Sequence, residues 1–314
     1  MLSWGEFRGG LLALAGLLLL VFAVIVVQPG LPGEQLLQTL RFHLVAAGFG
    51  LALLLALTGA LWRSLVLGIL VAAMAVHSAT YVVEFQSRRL EQAASPAARF
   101  DFLSYNVLAF NSRAEEMVQS ILSDPPDVAL IMESRAIRPY LDQLAEVLPY
   151  RIGCDAAEAC DISLHSRFPF ESRGLEPLSS LWGDRYVAGG IVVDGQPVTV
   201  VGLHLTKPYY DDIAEFELDR ASRWMGRIEG PLVVAGDFNA APWSDAVAEF
   251  GRAQGLASGP TIPATWPVRL GPLGVPIDNM FTRGNALIMS LSSGENHGSN
   301  HRPLRAEIGL YGAD

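Results

Sequence analysis

The chain has 314 residues, of which 51% are hydrophobic, and its formal net charge at pH 7 is −10. The apolar residues are concentrated near the N-terminus, whereas residues 96–314 hold 28 acidic against 17 basic residues, a net charge of −11. A domain with this charge repels a polyanion, which disfavours processive binding of nucleic acid.

Three apolar runs lie before residue 90, at 11–27, 44–61 and 65–83. Each is close to the roughly 17–25 residues that cross a bilayer as a helix. We therefore predict three transmembrane helices, with a corner at 62–64 between the second and the third. A cleaved signal peptide is the alternative for the first run, but no Ala-x-Ala-like cleavage site follows it and two more apolar runs come soon after.

The sequence predicts a membrane anchor at 1–85, a charged, Ala-rich juxtamembrane linker at 86–98 and a soluble domain at 99–314. About 220 residues are ample for one packed domain. The few positive charges that flank the apolar runs fall on both sides of the predicted membrane, so they do not fix its orientation.

Two cysteines, Cys154 and Cys160, flank a small polar loop in the soluble domain. A disulfide between them would place this domain outside the cytoplasm, because disulfides persist in oxidising compartments. Two unrelated reduced thiols are the alternative. The cysteines therefore favour an N-terminus inside the cell and a soluble domain outside it.

In the soluble domain, strand-like alternation over 99–106 ends on Asn106, and helical spacing marks 114–122. Five apolar residues in the strand 127–133 precede Glu133, and an acid at that position is costly to bury unless it lies at the open end of the strand or is paired with a cation. Further elements are a short helix, a strand, a hairpin and a long helix, predicted at 137–148, 162–165, 187–205 and 211–228.

A second buried strand at 232–235 is followed by Gly236, Asp237 and Asn239. Residues two apart on a strand point to the same side, so this carboxylate and this amide can face one ligand together. Such a pair suits a hydrated divalent cation and a phosphate oxygen. A simple turn is the alternative, because Gly, Asp and Asn are also the commonest turn residues.

Four more polar residues come at the ends of strand-like segments. His204 lies near the end of the second hairpin strand, where a lone histidine is more often a core residue than a catalyst. Arg167 follows the strand 162–165 and could meet a phosphate or pair with a surface acid. Asp278 lies in a short apolar segment, and His301 lies between turn residues and the final strand.

These motifs resemble the endonuclease/exonuclease/phosphatase superfamily, which includes DNase I, the abasic-site endonucleases, the sphingomyelinases and the inositol polyphosphate 5-phosphatases. The resemblance covers about 100–310. It is carried by Ser-Tyr-Asn-Val at 104–107, Ile-Met-Glu at 131–133, Ser-Arg-Phe-Pro at 166–169, Gly-Leu-His at 202–204, Gly-Asp-Phe-Asn at 236–239, Ile-Asp at 277–278 and Ser-Asn-His-Arg at 299–302.

The resemblance implies an α/β fold, a four-layer α-β-β-α sandwich (DNase I-like), here preceded by the three predicted transmembrane helices. With the loops around Trp243 and Trp266, the chain is similar to the bacterial membrane-anchored branch of the superfamily. This similarity implies a multi-pass protein of the bacterial inner membrane with an extracytoplasmic catalytic domain at 99–314.

The resemblance also implies roles in hydrolysis of a phosphate ester. Asp237 and Asn239 would orient the attacking water and a phosphate oxygen. His301, polarised by Asp278, would take a proton from that water or stabilise the pentacovalent phosphorus. His204 would hydrogen-bond the phosphoryl oxygen, and in-line attack on an anionic phosphate requires such donors together with a metal.

The metal implied is Mg²⁺, with Mn²⁺ possible, held by Glu133 with help from Asn106. The superfamily usually has Ser-Asp-His at the last motif, where this chain has Asn300. An amide offers the metal only a neutral oxygen, so we predict weaker binding of magnesium than in a Ser-Asp-His relative.

The leading hypothesis is a membrane-anchored, magnesium-dependent phosphodiesterase or phosphatase that cleaves a lipid or lipid-linked phosphate ester or pyrophosphate. Arg167 and Trp243 are the candidate substrate-binding residues, although Trp243 suits the core equally well. A nuclease of the same chemistry is the second hypothesis, and a membrane-tethered binding module with weakened catalysis is the third. The sequence leaves the oligomeric state open.

Overall fold

The computed structural model describes residues 3–89, 95–155, 160–209 and 211–312. Within these ranges, four helices precede the first strand: α1 (Trp4–Val27), α2 (Glu34–Thr39), α3 (Arg41–Leu57) and α4 (Leu61–Ser87). By length and composition, α1 and α4 can cross a membrane, whereas α3 is a shorter apolar helix of 17 residues, at the lower limit for a span. The predicted three membrane helices are therefore two candidate spans and one shorter apolar helix.

The turn between α3 and α4 comes earlier than predicted. The backbone of Gly59 adopts a φ of 78°, and α4 begins at Leu61. The predicted corner at 62–64 is wrong, because these residues lie inside α4. Glycine takes the left-handed conformation without steric cost, and this is why the chain turns at Gly59.

Strands and helices then follow one another through the described part of the chain. In order they are β1 (Ala98–Asn106), α5 (Ala114–Ser123), β2 (Val128–Met132), a 3₁₀ helix (Ser134–Tyr140), α6 (Leu141–Leu144), β3 (Tyr150–Ile152), β4 (Ile162–Ser166), β5 (Ser172–Pro177), β6 (Asp184–Val193), β7 (Gln196–His204), α7 (Ile213–Met225), β8 (Leu232–Asp237), α8 (Asp245–Ala253), β9 (Ala257–Ser258), a second 3₁₀ segment (Val268–Leu273), β10 (Asp278–Arg283), β11 (Ala286–Ser293) and β12 (Leu304–Leu310).

The strands form two mixed sheets, with the orders β11-β12-β1-β2-β4-β3 and β5-β6-β7-β8-β10-β9. Strands β1 and β2 pair in parallel, as do β7 and β8, whereas their other neighbours are antiparallel. Parallel pairing brings the carboxyl ends of both strands to the same edge of a sheet. Each sheet therefore delivers two strand ends to one edge.

The two sheets share one hydrophobic cluster. It contains Phe102 and Leu130 from the first sheet together with Val200 and Val233 from the second. The next residue along β2, Ile131, belongs instead to a cluster with side chains of α5 and α6, because successive side chains of a strand point to opposite faces. The four-layer order implied by the family resemblance stays a prediction.

The hairpin predicted at 187–205 is confirmed by the antiparallel pairing of β6 with β7. Asp194 and Gly195 form its turn, with φ values of 47° and 81°. Two positive φ values in succession define the type I′ turn, whose twist matches that of the flanking strands. By contrast, the helix predicted at 137–148 is a 3₁₀ helix followed by a single α-helical turn, and Pro139 lies inside it.

The last residues of α4 pack into the domain that follows. Phe85 is 1% exposed and stacks on Phe281, with 4.9 Å between the ring centroids. A Cβ atom at Gly251 would lie 2.3 Å from the Phe85 ring, so glycine is required for this close approach. Of the predicted linker 86–98, residues 90–94 lie outside the described residues, and the division of the chain at residue 85 stays a prediction.

A second contact joins the start of α3 to α8. Arg41 is fully buried, with its guanidinium 4.4 Å from the centroid of the Tyr81 ring and 3.4 Å from Asp245 Oδ2. The Tyr81 hydroxyl also donates a hydrogen bond to Asp245. Because a buried cation is costly without partners, this cluster holds the helices against the domain in one arrangement.

Cys154 and Cys160 form a disulfide, which was one of the two alternatives raised by the sequence. The residues between them at 156–159 lie outside the described part of the chain. Cys160 directly precedes Asp161, so the disulfide closes a loop that ends beside the site described next.

Candidate active site

Left-handed backbone conformations are concentrated where three strands end. Leu108, Glu133 and Asn239 have φ values of 62°, 54° and 51° and follow β1, β2 and β8. A non-glycine residue in this conformation costs about 1–2 kcal/mol. Such strain persists where the surrounding structure fixes it, and it is enriched at functional sites.

Asn106 joins the ends of β1, β2 and β8. Its amide nitrogen donates hydrogen bonds to Glu133 Oε1 at 3.1 Å and to Asp237 Oδ2 at 3.0 Å, while its oxygen accepts from the Leu108 N–H. Glu133 Oε2 accepts a further hydrogen bond from the backbone N–H of Ala109 at 2.8 Å. The structure thus brings Asn106 and Glu133 together, with the amide nitrogen of Asn106 facing the two carboxylates.

Asp237 and Asn239 do lie together, but for a different reason from the one predicted. β8 ends at Asp237, and Asn239 has left-handed backbone rather than extended strand. The Asn239 N–H donates to Asp237 Oδ1 at 2.8 Å, and its side-chain amide donates to the Leu205 carbonyl. The prediction of strand alternation was therefore wrong here, and a turn closed by the Asp237 carboxylate produces the pairing.

The backbone before Asp237 requires glycine. Gly236 has a φ of 148°, and a Cβ atom at this position would lie 1.8 Å from the Leu203 carbonyl oxygen of β7. Because β7 and β8 pair in parallel with His204 opposite Asp237, this close approach sets His204 beside the carboxylate. His204 Nε2 lies 4.0 Å from Asp237 Oδ2.

His301 and Asp278 form a buried pair on the other side of Asp237. His301 Nδ1 lies 2.8 Å from Asp278 Oδ2, and His301 Nε2 lies 3.8 Å from Asp237 Oδ2. Burial alone would lower the pKa of His301, but the carboxylates of Asp278 and Asp237 raise it to about 9. For Asp237, an acid, burial instead raises the pKa; the charge of Asp278 raises it further, and the charge of His301 opposes the shift.

Asp161 is the site residue that the sequence reasoning missed. Its Oδ2 lies 2.6 Å from His204 Nδ1 and 3.1 Å from Arg185 Nε. Although burial favours the neutral acid, the hydrogen bond from His204 and the charge of Arg185 lower the pKa of Asp161. Its only sequence signal was an acid directly before the strand that begins at Ile162.

The structure does not bring Arg167 or Trp243 to this site. β2 and β4 are antiparallel, so Arg167 follows the end of β4 that lies opposite Val128, far from Glu133, and it pairs with Asp127 at 2.7 Å. Trp243 is 9% exposed, and its Nε1 donates to the Thr39 carbonyl. Arg167 is thus in a surface ion pair and Trp243 is a core side chain, the alternatives that the sequence left open for them.

The last motif places Asn300 differently from its neighbours. Ser299 is buried, and its hydroxyl donates to the Asn106 carbonyl at 2.7 Å while accepting from the His301 N–H. Asn300 itself is exposed. Its assignment as a metal ligand stays a prediction.

The site carries the donor set and the charge that a divalent cation needs. The carboxylates of Glu133, Asp237 and Asp278 converge here, and Asp278 Oδ1 is buried with no hydrogen-bond partner. Asp237, Asp278 and His301 also place one ligand atom each within 4.8 Å of one another, close enough to hold a metal ion. Oxygen ligands of this kind suit Mg²⁺, and a cation would offset the excess negative charge.

Fold and site together define a mixed α/β protein of two sheets, with the DNase I-like fold and a carboxylate–histidine centre at the sheet edge. A sequence profile described as the Endonuclease/Exonuclease/phosphatase family matches residues 103–301. The chain belongs to this family, as the sequence motifs predicted, while its membership of the membrane-anchored branch stays a prediction. Members of the superfamily are metal-dependent phosphoesterases and nucleases. No curated protein matches the chain.

Solved structures show the same fold at low sequence identity. Humanized D. rerio TDP2 has a TM-score of 0.58 at 14% identity, with 68% of this chain and 99% of that chain covered. An endonuclease/exonuclease/phosphatase from Beutenbergia cavernae has a TM-score of 0.55 at 16% identity, covering 69% and 72%. A mutant of beta toxin from Staphylococcus aureus with bound magnesium ions has a TM-score of 0.50 at 15% identity, covering 66% and 99%.

Proposed function

We propose that the chain is a membrane-anchored, magnesium-dependent phosphohydrolase. It cleaves a phosphate ester or pyrophosphate of a lipid or lipid-linked substrate by in-line attack of water. The observation that carries the proposal is the convergence of Glu133, Asp237, His204 and the Asp278–His301 pair at one edge of a DNase I-like fold. The four-layer arrangement of that fold is part of the proposal, and the core shared by the two sheets supports it.

Glu133 is the proposed metal ligand. Its left-handed backbone and the hydrogen bond from Ala109 fix the carboxylate at the sheet edge. The group of Asp237, Asp278 and His301 is also close enough to hold a metal ion, but this proposal assigns it to the proton transfers, with Asp278 Oδ2 engaged by His301. When bound, Mg²⁺ supplies positive charge to the phosphate and to the developing oxyanion. As described, Asn106 orients Glu133 and Asp237, and it would have to turn its amide to offer the metal an oxygen.

The buried acids and histidines divide the proton transfers between them. Asp237, with its raised pKa, takes a proton from the attacking water, whose oxygen forms the new bond to phosphorus. The bond from phosphorus to the leaving oxygen breaks, and that oxygen departs with the bonding electrons. His301, protonated because Asp278 and Asp237 raise its pKa, donates to the phosphoryl oxygens, and His204 hydrogen-bonds them from the other side.

Two features support a location in the membrane with the site outside the cytoplasm. α1 and α4 are long and apolar enough to cross a bilayer, and many of their large apolar side chains are exposed, such as Leu14, Leu17 and Ile69. The disulfide suits an oxidising compartment. The proposal keeps α3, whose 17 residues are at the lower limit for a span, as the third crossing. Three crossings place the N-terminus inside and the site outside the cytoplasm, where lipid phosphates are within reach.

Hydrolysis by the full-length protein in detergent tests the proposal. A lipid pyrophosphate, a phospholipid diester and a DNA oligonucleotide are each incubated with Mg²⁺ and, separately, with a chelator. We expect release of phosphate from a lipid substrate that stops when the metal is removed. Cleavage of DNA alone would favour a nuclease, and no hydrolysis of any substrate would favour a binding module.

Asn300 sets the affinity for magnesium in this proposal. Replacing Asn300 by aspartate adds a charged oxygen beside His301, so we expect the half-saturating Mg²⁺ concentration to fall about 10-fold. Activity against Mg²⁺ concentration and calorimetric titration of Mg²⁺ both measure the change. An unchanged half-saturating concentration would refute the role of Asn300.

Asp161 is a positioning residue that acts through His204. Replacing Asp161 by asparagine is expected to lower kcat about 10- to 100-fold, since the amide no longer fixes the ring and its tautomer. KM is expected to change less, and Asp161→Glu is expected to restore part of kcat. Asp127→Asn is the matched control, because Asp127 also pairs with an arginine but at the far end of the same sheet. Equal losses of kcat in both variants would show only a structural role.

A further inference from the structure

A cleft of about 570 Å³ opens directly beside Glu133 and Asp161. Three arginines line it, Arg135, Arg138 and Arg185. Arg185 pairs with Asp161 as described above, and Arg135 and Arg138 have no role in the proposed proton transfers. Three carboxylates, those of Glu133, Asp161 and Asp184, also line the cleft, so it is balanced in formal charge within a domain whose net charge is −11.

Two of these arginines lie over aromatic rings at the rim of the cleft. Arg135 lies 5.1 Å from the centroid of Phe110, and Arg185 lies 4.4 Å from the centroid of Trp182. Phe110 is 78% exposed and supports the exposed Arg135, whereas Trp182 is 50% exposed and covers Arg185, which is itself only 8% exposed. An arginine held in this way loses less side-chain freedom when it binds a ligand than an arginine free in water.

Arg185 connects the cleft to the catalytic centre. Its Nε lies 3.1 Å from Asp161 Oδ2, the same oxygen that lies 2.6 Å from His204 Nδ1. His204 in turn faces Asp237 at 4.0 Å. The cleft therefore begins at Arg185, which contacts Asp161, the partner of His204.

We propose that this cleft binds a second phosphate group joined to the reacting one, so that the substrate class is a pyrophosphate. The inference rests on the proposed function. Arginine binds phosphate oxygens in a bidentate manner, and the exposed aromatic rims suit the apolar part of a lipid pyrophosphate. On hydrolysis, the bridging oxygen leaves with the second phosphate and its bonding electrons, and the arginines offset the charge of this leaving group.

Binding of inorganic pyrophosphate to the full-length protein in detergent tests the inference without requiring catalysis. Calorimetric titration is made with wild type, Arg135→Gln and, as the matched control, Arg173→Gln. Arg173 also lies over an aromatic ring, Phe170, but in β5 at the far end of the second sheet. We expect Kd to rise about 10-fold in Arg135→Gln and to stay unchanged in Arg173→Gln.

Kinetics separate this inference from the proposed function. For a lipid pyrophosphate, Arg135→Gln is expected to raise KM about 10-fold, whereas KM for a phospholipid diester with one phosphate stays unchanged. If Arg135→Gln hydrolyses both substrates and changes KM equally for the two, or for neither, the inference of a pyrophosphate-binding cleft is wrong. The proposed phosphohydrolase activity would be unaffected by that result. Absence of hydrolysis in wild type would overturn the proposed function. The inference would also be wrong if a single-stranded oligonucleotide competed with pyrophosphate for the cleft and bound more tightly than pyrophosphate does.

Discussion

Replacing His301 by glutamine is expected to lower kcat about 1,000-fold or more. The pKa of about 9 keeps its ring protonated at neutral pH, and its Nε2 lies 3.8 Å from Asp237 Oδ2, where the reacting phosphate and water are proposed to meet. Loss of such a donor typically costs about 10²–10³ in kcat, and loss of a proton-transfer group costs a similar factor. The measurement is kcat on the lipid substrate that the wild type hydrolyses.

Substitution of Asp278, the partner of His301, tests whether the two residues act together. Asp278→Asn is expected to lower kcat by a similar factor, and the double variant is expected to be little worse than either single one, because the two groups act as a unit. His165→Gln is the control, since His165 is also buried but lies near the end of β4 that is far from the site. Additive losses in the double variant would contradict a joint role for His301 and Asp278.

The second large effect is on stability. Replacing Phe85 by alanine is expected to lower the free energy of unfolding by about 3–5 kcal/mol, because the ring is 1% exposed and fills a space between Phe281 and Gly251. Chemical unfolding of the full-length protein in detergent measures the change. The expected loss is the combined cost of exposing apolar atoms and of leaving a cavity.

Val83 offers the matched control on the same helix. It is 61% exposed, so Val83→Ala is expected to change the free energy of unfolding by less than about 0.5 kcal/mol. Equal effects of the two substitutions would mean that α4 does not contribute to the core of the following domain. If Phe85 does contribute, a fragment that begins at residue 96 lacks part of its own core, which is why the assays above use the whole chain.

Local patterns predicted most of the strands that carry the site, because strand and turn signals lie within a few residues of one another. The apolar run before Asp237 and the Asp-Gly turn of the hairpin are examples. The family motifs then brought Asn106, Glu133 and His301 into one site, which spacing alone does not do. The turn that closes on Asp237 was read as strand, since a left-handed Asn239 leaves little trace in an otherwise apolar segment.

Contacts between distant segments were beyond reach of the sequence. Asp161 meets His204 only because two sheets pack together, and Arg167 departs from the site only because β4 runs antiparallel to β2. Trp243 is covered by the helical region that precedes the domain, through its hydrogen bond to Thr39. Burial of this kind depends on tertiary packing, which neither periodicity nor residue type encodes locally.

The buried Arg41 has a consequence for the geometry of catalysis. Its contacts with Tyr81 and Asp245 join two apolar helices to α8, and Asp245 follows the Asp237 strand end by eight residues. In a chain anchored as proposed by α1, α3 and α4, these contacts would hold the candidate active site at a fixed height and tilt above the lipid surface. Under the proposed function, such a chain would cleave only those lipid phosphates that lie at the height of the pocket above the bilayer.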